Sequence, residues 1–225
     1  MQKEVVLTED GSHTLRVAEI DECYHSTHGA VQESMHIFIN AGLKVFLSEE
    51  RVSEDEVRVL EVGFGTGLNA YLTLLEAEKS RKTIHYTTLE LYPLSADEAL
   101  MLNYPETLCG ERELFEKIHR SPWDEDNVIT SFFTIHKIKA DFVGYELQGL
   151  YDVIYFDAFS SEKQPEMWME GGFRKIYENS GNGAVITTYC AKGAVRRAMQ
   201  SAGFVVERLP GPPGKREILR GRIIN

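Results

Sequence analysis

The sequence predicts an α/β protein with a mostly parallel β-sheet that is covered by helices on both faces. From residue 57 onward, apolar segments of strand length alternate with amphipathic segments of helical length. A glycine cluster joins the first of these strands to the first of these helices, and the last two strand segments are linked by a connection too short to contain a helix. With 225 residues, the chain is long enough for one large domain.

The pattern of residues 1–50 predicts an N-terminal addition to this sheet, made of a hairpin and a helix. Apolar and polar residues alternate on either side of Glu9-Asp10-Gly11, which is typical of a β-hairpin. In residues 29–48, apolar side chains recur every three or four positions, which indicates an amphipathic helix. We expect this hairpin and helix to pack on a main domain of residues 51–225.

The main domain begins with a strand at 57–62, which leads through the glycine cluster into a helix. Further strands are predicted at 84–89, 132–138, 151–156, 184–188, 204–209 and 216–223, and further helices at 95–102, 111–119, 166–178 and 191–201. Right-handed crossovers make successive strands parallel. The connection at 210–214 holds three prolines and two glycines and is too short for a crossover. We therefore expect seven strands, of which the last is antiparallel.

Composition excludes several classes of protein. A hydrophobic fraction of 43% and a charged fraction of 26% are ordinary for a globular chain and unlike a disordered one. Three cysteines, an odd number, favour a reducing compartment. No apolar run approaches the roughly 20 residues of a membrane helix, and the N-terminus lacks the apolar core of a signal peptide. We expect a cytoplasmic protein without membrane contact.

The glycine cluster is the most informative segment, with the sequence Glu61-Val62-Gly63-Phe64-Gly65-Thr66-Gly67-Leu68-Asn69. Alternate glycines let the backbone approach a ligand where a Cβ atom would clash, and the following helix offers unpaired N–H groups. The spacing differs from the G-x-G-x-x-G of dinucleotide binding and from a phosphate loop. It resembles motif I of class I (Rossmann-like) S-adenosylmethionine-dependent methyltransferases. The resemblance implies that this cofactor is bound by Glu61, Gly63, Phe64, Gly65, Gly67, Leu68 and Asn69.

Acidic residues stand at the ends of later strands. Glu90 ends the second strand, where a carboxylate can accept hydrogen bonds from both ribose hydroxyls of the cofactor. Asp141 follows the third strand and can accept one from the adenine amino group, with Phe142 against the ring. Asp157 ends the fourth strand and points to the same crevice. Glu90 or Asp141 alone is as often merely a solvated acid, but together with Glu61 they make three acids on successive strands, which favours one shared site.

Several longer motifs follow one another along the chain. They are the glycine cluster; Asp157, Phe159, Lys163, Pro165, Met167 and Trp168; Lys215-Arg216-Glu217; the run from Asp21 to Ser26; and the segment 189–204 with Arg196-Arg197. Together they resemble the methyltransferase half of the bacterial tRNA-modification enzyme MnmC, whose free-standing form is called MnmD. The loop at 210–214 departs from the glycine-rich, aromatic turn expected in that family.

The resemblance implies methyl transfer from S-adenosylmethionine to the amine of 5-aminomethyl(-2-thio)uridine at the wobble position of tRNA. In many bacteria this methyltransferase is fused to an FAD-dependent oxidase that makes the amine. Because the chain ends at Asn225 without a second glycine fingerprint, we expect no FAD domain and a separate enzyme that supplies the amine. The residues expected to bind the substrate are Tyr24, His25, Phe159, Lys163, Trp168, Arg196, Arg197, Lys215 and Arg216.

Asp157 is the predicted catalytic residue. Methyl transfer from a sulfonium is an in-line displacement, so the protein must mainly hold the amine on the axis opposite the sulfur. An Asp of ordinary pKa is too weak a base to do more. We therefore expect Asp157 to orient the amine while the proton is lost to water. For Tyr24, His25 and Trp168, ordinary packing remains an alternative to substrate contact.

The charge of the chain is unevenly distributed. The net charge is −11, but residues from Lys192 onward carry eight Lys and Arg against two Glu, which is +6 and leaves −17 for residues 1–191. This asymmetry predicts a basic C-terminal rim for tRNA phosphates, with Arg196 and Arg197 as the foremost candidates. The alternative is that these side chains pair with the acidic surface, as we expect for Arg220 and Arg222.

Two other functions remain open. A polyamine aminopropyltransferase has a related fold and a related cofactor, and an acidic pocket would suit its polycation, although the segment 163–168 and the basic rim argue against it. A non-catalytic cofactor-binding module would retain the fold without needing Asp157. Cys23, His25 and His28 lie close together, but no fourth ligand follows at the spacing of a zinc site, so we expect no metal.

Overall fold

The computed structural model describes residues 3–19, 21–49 and 56–224. The predicted boundary between the N-terminal addition and the main domain, at residues 50 and 51, lies outside the described residues.

Three short antiparallel strands open the chain: β1 (Lys3–Leu7), β2 (His13–Val17) and β3 (Glu22–Cys23). β1 and β2 form the predicted hairpin. Asp10 stabilises its turn, because Oδ1 of Asp10 accepts hydrogen bonds from the hydroxyl of Thr8 at 2.7 Å and from the backbone N–H of Ser12 at 3.0 Å. The hairpin prediction is therefore confirmed.

The helix predicted for residues 29–48 is also present. It consists of α1 (Ala30–Ser34), a π-helical segment (Met35–Leu43) and α2 (Lys44–Leu47), which follow one another without a break. Its apolar face packs on the main sheet, where the ring of Phe38 lies 5.2 Å from that of Tyr155. Gly42 approaches the sheet so closely that a Cβ atom there would lie 3.2 Å from Oγ1 of Thr187. The N-terminal addition thus contributes to the same hydrophobic core as the sheet.

The main sheet contains eight strands: β4 (Val57–Val62), β5 (Ile84–Leu89), β6 (Asp126–Val128), β7 (Phe133–Ile138), β8 (Tyr151–Phe156), β9 (Ser180–Thr188), β10 (Val205–Pro210) and β11 (Glu217–Arg222). Their order is β10-β11-β9-β8-β4-β5-β7-β6. The strands from β9 to β7 in this order pair in parallel, whereas β11 is antiparallel to both β9 and β10. The mostly parallel sheet with an antiparallel last strand is confirmed. Beyond the seven predicted strands, β6 adds a short antiparallel edge beside β7.

The remaining helices are α3 (Leu68–Ser80), α4 (Ala96–Ala99), α5 (Tyr104–Thr107), α6 (Arg112–Arg120), α7 (Glu170–Glu178) and α8 (Gly193–Ala202), and a 3₁₀ turn spans Pro165–Trp168. The helix expected at 95–102 is only the single turn of α4. The helix expected at 166–178 is divided, because Met169 between its two parts is extended, with ψ at 159°. α5 and β6 went unpredicted because three or four residues are too few to show a period.

The strand order reverses at β4. The chain proceeds from β4 to β5 and β7 on one side, and then returns to β8 on the other side. In open α/β sheets, ligands bind at such a switch point, beyond the carboxyl ends of the strands. Gly63 follows β4 there and Asp157 follows β8, and the N–H of Asp157 donates to the carbonyl oxygen of Val62 at 2.9 Å. The topology therefore brings the glycine cluster and Asp157 together.

Candidate functional site

A cavity of about 510 Å³ opens at this switch point. This volume suits a small-molecule ligand. The predicted site residues that line it are Tyr24, His25, Gly63, Phe64, Gly65, Glu90, Asp141, Phe142, Asp157, Phe159, Lys163 and Lys215. The predicted residues that do not line it are Glu61, Gly67, Leu68, Asn69, Trp168, Arg196, Arg197 and Arg216.

Two glycines of the cluster leave room along the cavity wall. Gly63 has φ at +96°, and a Cβ atom there would lie 2.5 Å from the carbonyl oxygen of Asp157. Gly65 has φ at +50°, and a Cβ atom there would lie 2.9 Å from the ring of Tyr24. Both the backbone conformation and the close approach therefore require glycine. Gly67 lies behind the cavity against His119 and precedes the first residue of α3.

The acidic groups expected to bind the cofactor stand beside this cradle. Glu90 accepts hydrogen bonds from the backbone N–H groups of Gly65 at 3.1 Å and Tyr92 at 2.9 Å, so its carboxylate is held at the end of β5. Asp141 accepts one from the N–H of Val143 at 3.0 Å. Phe142 is buried beside it. A glycine cradle, two carboxylates at strand ends and one aromatic side chain fit the adenosine of the predicted cofactor.

Asn69 connects two acidic groups below the cavity. Its Nδ2 donates to Oε1 of Glu61 at 3.1 Å and to Oδ2 of Asp157 at 2.8 Å. Oε2 of Glu61 also accepts a hydrogen bond from the hydroxyl of Thr88 at 2.8 Å. Glu61 is fully buried, and burial raises its pKa well above the ordinary range. Glu61 and Asn69 thus support Asp157 from beneath and do not reach the cavity themselves.

The environment of Asp157 changes what its carboxyl group can do. Burial, followed by the nearby charge of Glu33, raises the pKa of Asp157 to about 7. The hydrogen bond from Asn69 and the charge of Lys215 lower the pKa by less. At this pKa, the carboxylate can accept a proton near neutral pH. The expectation that Asp157 only orients the amine relied on an ordinary pKa, which this site does not have.

The N-terminal addition closes one side of the cavity. The ring of Tyr24 lies 5.1 Å from that of Phe159, edge to face, across the glycine cluster. Nε2 of His25 lies 2.6 Å from Oγ1 of Thr66, within the cluster. Burial lowers the pKa of His25 to about 4, so this ring is neutral at physiological pH. Tyr24 and His25 therefore contact the glycine cluster and also line the cavity.

Lys215 does not lie where a phosphate-binding residue was expected. Its Nζ lies 3.1 Å from Oε1 of Glu33 and 4.8 Å from the centre of the Tyr189 ring, inside the cavity wall. Glu33 is not among the site residues predicted from the sequence. No local pattern would have revealed it, because its partner is near the other end of the chain.

Trp168 supports the cavity from outside. Its side chain is 5% exposed, and its Nε1 donates to the carbonyl oxygen of Phe159 at 2.9 Å. The ring packs edge to face on Phe156 and Tyr189. Trp168 therefore packs in the core, which the sequence allowed as an alternative to substrate contact.

The cations of the C-terminal segment are mostly paired. Five of the eight contact a carboxylate: Lys192 with Glu162, Arg208 with Glu217, Lys215 with Glu33, Arg220 with Glu207 and Arg222 with Glu49. Within the described residues, Arg196, Arg197 and Arg216 have no carboxylate within 4.0 Å. Arg216 lines a second groove of about 450 Å³, which shares Ser160, Tyr189 and Lys215 with the main cavity.

In the part of the chain that the structure describes, no three His, Cys, Asp or Glu side chains form a group that could hold a metal ion. Over those same residues, no helix is long and apolar enough to cross a membrane.

The chain is similar to known proteins along most of its length. A family model described as S-adenosyl-L-methionine-dependent methyltransferase matches residues 116–223. The tRNA 5-methylaminomethyl-2-thiouridine biosynthesis bifunctional protein MnmC of Cupriavidus metallidurans is 27% identical, over 97% of this chain and 34% of the relative. The protein of the same name from Pseudomonas savastanoi pv. phaseolicola is 31% identical, over 93% of this chain and 33% of the relative. The chain thus spans about a third of the length of these curated relatives.

Two solved structures share the fold. MNMC2 from Aquifex aeolicus superposes with a TM-score of 0.77 at 24% identity, over 98% of this chain and 70% of that one. Spermidine synthase from Thermotoga maritima superposes with a TM-score of 0.63 at 12% identity, over 98% of this chain and 68% of that one. The predicted Rossmann-like fold is confirmed. The chain is similar to S-adenosyl-L-methionine-dependent methyltransferases and, over most of its own length, to the methyltransferase part of MnmC.

Proposed function

We propose that the protein transfers a methyl group from S-adenosylmethionine to the amine of 5-aminomethyl(-2-thio)uridine at the wobble position of tRNA. The observation that carries this proposal is the position of Asp157, which faces the same cavity as the glycine cradle and has a pKa suited to a proton acceptor. The names of the relatives, which refer to 5-methylaminomethyl-2-thiouridine in tRNA, support the choice of substrate.

In the proposed mechanism, Gly63, Gly65, Glu90, Asp141 and Phe142 bind the cofactor, which supplies a methyl group on a positively charged sulfur. Asp157 accepts one proton from the substrate's ammonium group. The bound cofactor would supply its methyl group to the freed lone pair of the nitrogen and keep the electron pair of the C–S bond, which would leave a secondary ammonium group and a neutral thioether. Asp157 later loses its proton to water. Asn69 holds the carboxylate in position during these steps.

The proposal includes a tRNA-binding rim. Arg216 in the groove beside the cavity would contact phosphates, and so would Arg196 and Arg197 on α8. All three lack acidic partners among the described residues. Lys163 at the mouth of the cavity and Phe159 in its wall would contact the uridine. The aminomethyl group would be made beforehand at a different active site. A tRNA substrate also favours a cytoplasmic location.

Incubation with a labelled methyl donor tests this function. The acceptors are tRNA from a strain in which wobble uridines stop at the aminomethyl stage, tRNA that lacks this group, and spermidine. Label in the aminomethyl tRNA alone is the expected result. A parallel incubation with a decarboxylated donor labelled in its aminopropyl group tests the alternative, because label in spermidine's product would indicate an aminopropyltransferase. Cofactor binding without transfer to any acceptor would indicate a non-catalytic module.

A further inference from the structure

The cavity contains a carboxylate with a defined orientation that belongs to the N-terminal addition. Glu33 lies on α1, lines the cavity, and has a side chain that is 9% exposed. Its Oε2 accepts a hydrogen bond from the backbone N–H of Ser26 at 2.8 Å, and its Oε1 lies 3.1 Å from Nζ of Lys215. Contacts at both oxygens hold the carboxylate against the cavity wall.

The charges in this part of the cavity are not balanced. Glu33 raises the pKa of Asp157 and Lys215 lowers it, so the three groups lie within electrostatic range of one another. His25 supplies no second cation, because burial lowers its pKa to about 4, and Lys163 is exposed at the solvent side. Two carboxyl groups therefore share one ammonium group. Because an unpaired buried charge is unfavourable, the site favours a ligand that brings a positive charge.

We infer that Glu33 is the second binding group for the substrate's primary ammonium, which it holds together with Asp157, and that this pair selects an aminomethyl base over a neutral one. The inference rests on the proposed function. An alkyl ammonium has three N–H donors, and the two carboxylates accept two of them. Asp157 removes the proton that must be lost, while Glu33, paired with Lys215, keeps the nitrogen in place. The N-terminal addition thereby supplies part of the substrate site.

Equilibrium binding of two tRNAs tests this inference in the presence of S-adenosylhomocysteine, which prevents turnover. One tRNA carries 5-aminomethyluridine at the wobble position, and the other carries unmodified uridine there. The wild type should bind the aminomethyl tRNA more tightly. Glu33→Gln should weaken that binding about 10-fold to 100-fold and leave the affinities for unmodified tRNA and for S-adenosylhomocysteine unchanged. With the aminomethyl tRNA as substrate, KM should rise more than kcat falls.

Glu76→Gln is the matched control, since Glu76 also pairs with a lysine, Lys44 at 3.5 Å, but lies outside the cavity. It should retain the wild-type preference.

If Glu33→Gln retains that preference too, or if it weakens binding of both tRNAs equally, the inference is wrong. Should Glu33→Gln fail to fold, Glu33→Asp serves instead: a preference equal to that of the wild type would overturn the inference, and a reduced one would support it. A wild type that methylates neither tRNA would overturn the proposed function, whereas methylation by a fully selective Glu33→Gln would overturn only the role of Glu33.

Discussion

Asp157 is held among other acidic groups, and this determines how its protonation affects the fold. Its pKa of about 7 lies far above the ordinary value, so the folded protein binds this proton more tightly than the unfolded chain does. The free energy of unfolding therefore decreases as the pH rises from about 4 to about 7. Above pH 7 the ionised carboxylate of Asp157 lowers the free energy of unfolding by its full amount, and below pH 4 it has no such effect.

Asp157→Asn should remove that pH dependence. Chemical unfolding between pH 4 and pH 8 should show the variant gaining stability relative to the wild type as pH rises, by about 1–4 kcal/mol at pH 8. Its methyl-transfer rate should fall by about 100-fold or more, because the amide accepts no proton. Asp152→Asn is the control for the methyl-transfer rate, since Asp152 stands near the other end of β8, where it accepts a hydrogen bond from the N–H of Arg58. A stability difference independent of pH, or a wild-type rate in Asp157→Asn, would contradict the proposed role.

Glu90 provides a second prediction for a single residue. Glu90→Ala should weaken binding of S-adenosylmethionine by about 1.5–3 kcal/mol, because a carboxylate that accepts hydrogen bonds from the ribose is lost. Titration calorimetry on the folded variant measures this directly. Glu106→Ala removes a carboxylate that pairs with Arg112 outside the cavity and should bind normally. Equal affinities in all three proteins would exclude the assignment of Glu90.

The turn between β4 and α3 is the element on which cofactor binding most depends. Gly63→Ala places a Cβ atom 2.5 Å from the backbone of Asp157 at a positive φ, so the turn or the end of β8 must shift. Left-handed strain alone costs about 1–2 kcal/mol. We expect a lower melting temperature and loss of measurable cofactor binding by calorimetry.

Gly171→Ala is the matched control for this element. Gly171 lies in α7 with no atom within 4 Å of an added Cβ, so alanine should raise stability by about 0.5–1 kcal/mol without changing cofactor affinity. If Gly63→Ala binds the cofactor as well as Gly171→Ala does, cofactor binding does not depend on the close approach of Gly63 to the backbone of Asp157.

At the scale of the whole molecule, the proposed function requires an acidic protein to bind an acidic polymer. Reversing the charges of Arg196 and Arg197 to Glu should raise KM for tRNA more than it lowers kcat, because phosphate contacts stabilise the ground state and the transition state alike. Neutralising either one should reduce the slope of log affinity against log salt by about one unit at most. Affinity for S-adenosylmethionine should not change.

Lys79→Glu with Arg81→Glu makes the same change in net charge at the far end of α3, at the opposite edge of the sheet. This control should retain the KM for tRNA. An equal rise in KM in both double variants would show that net charge, and not a local rim, governs tRNA binding. If the double variant at Arg196 and Arg197 also loses activity on the free aminomethyl nucleoside, these residues act in the active site or stabilise the fold, and the proposed phosphate contacts are wrong.

The sequence alone determined the sheet, most strand positions and the glycine turn, because period, length and glycine spacing are local properties of the chain. β5 and β8 begin and end at the predicted residues. It also named Asp157, since the end of a strand in a parallel sheet points to a known edge. Short elements such as α5 were missed because one turn carries too little pattern.

Only the tertiary structure decided how the site is charged. The contacts of Glu33 with Lys215 and of Asn69 with Asp157 join residues from distant parts of the chain, and no local pattern encodes them. The raised pKa of Asp157 follows from burial and from Glu33, both of which exist only after folding. Most cations of the C-terminal segment likewise pair with carboxylates that lie on other strands, helices or loops. Charge and burial are collective properties of the folded chain, which is why the sequence could name candidate residues and only the fold determined the charge around them.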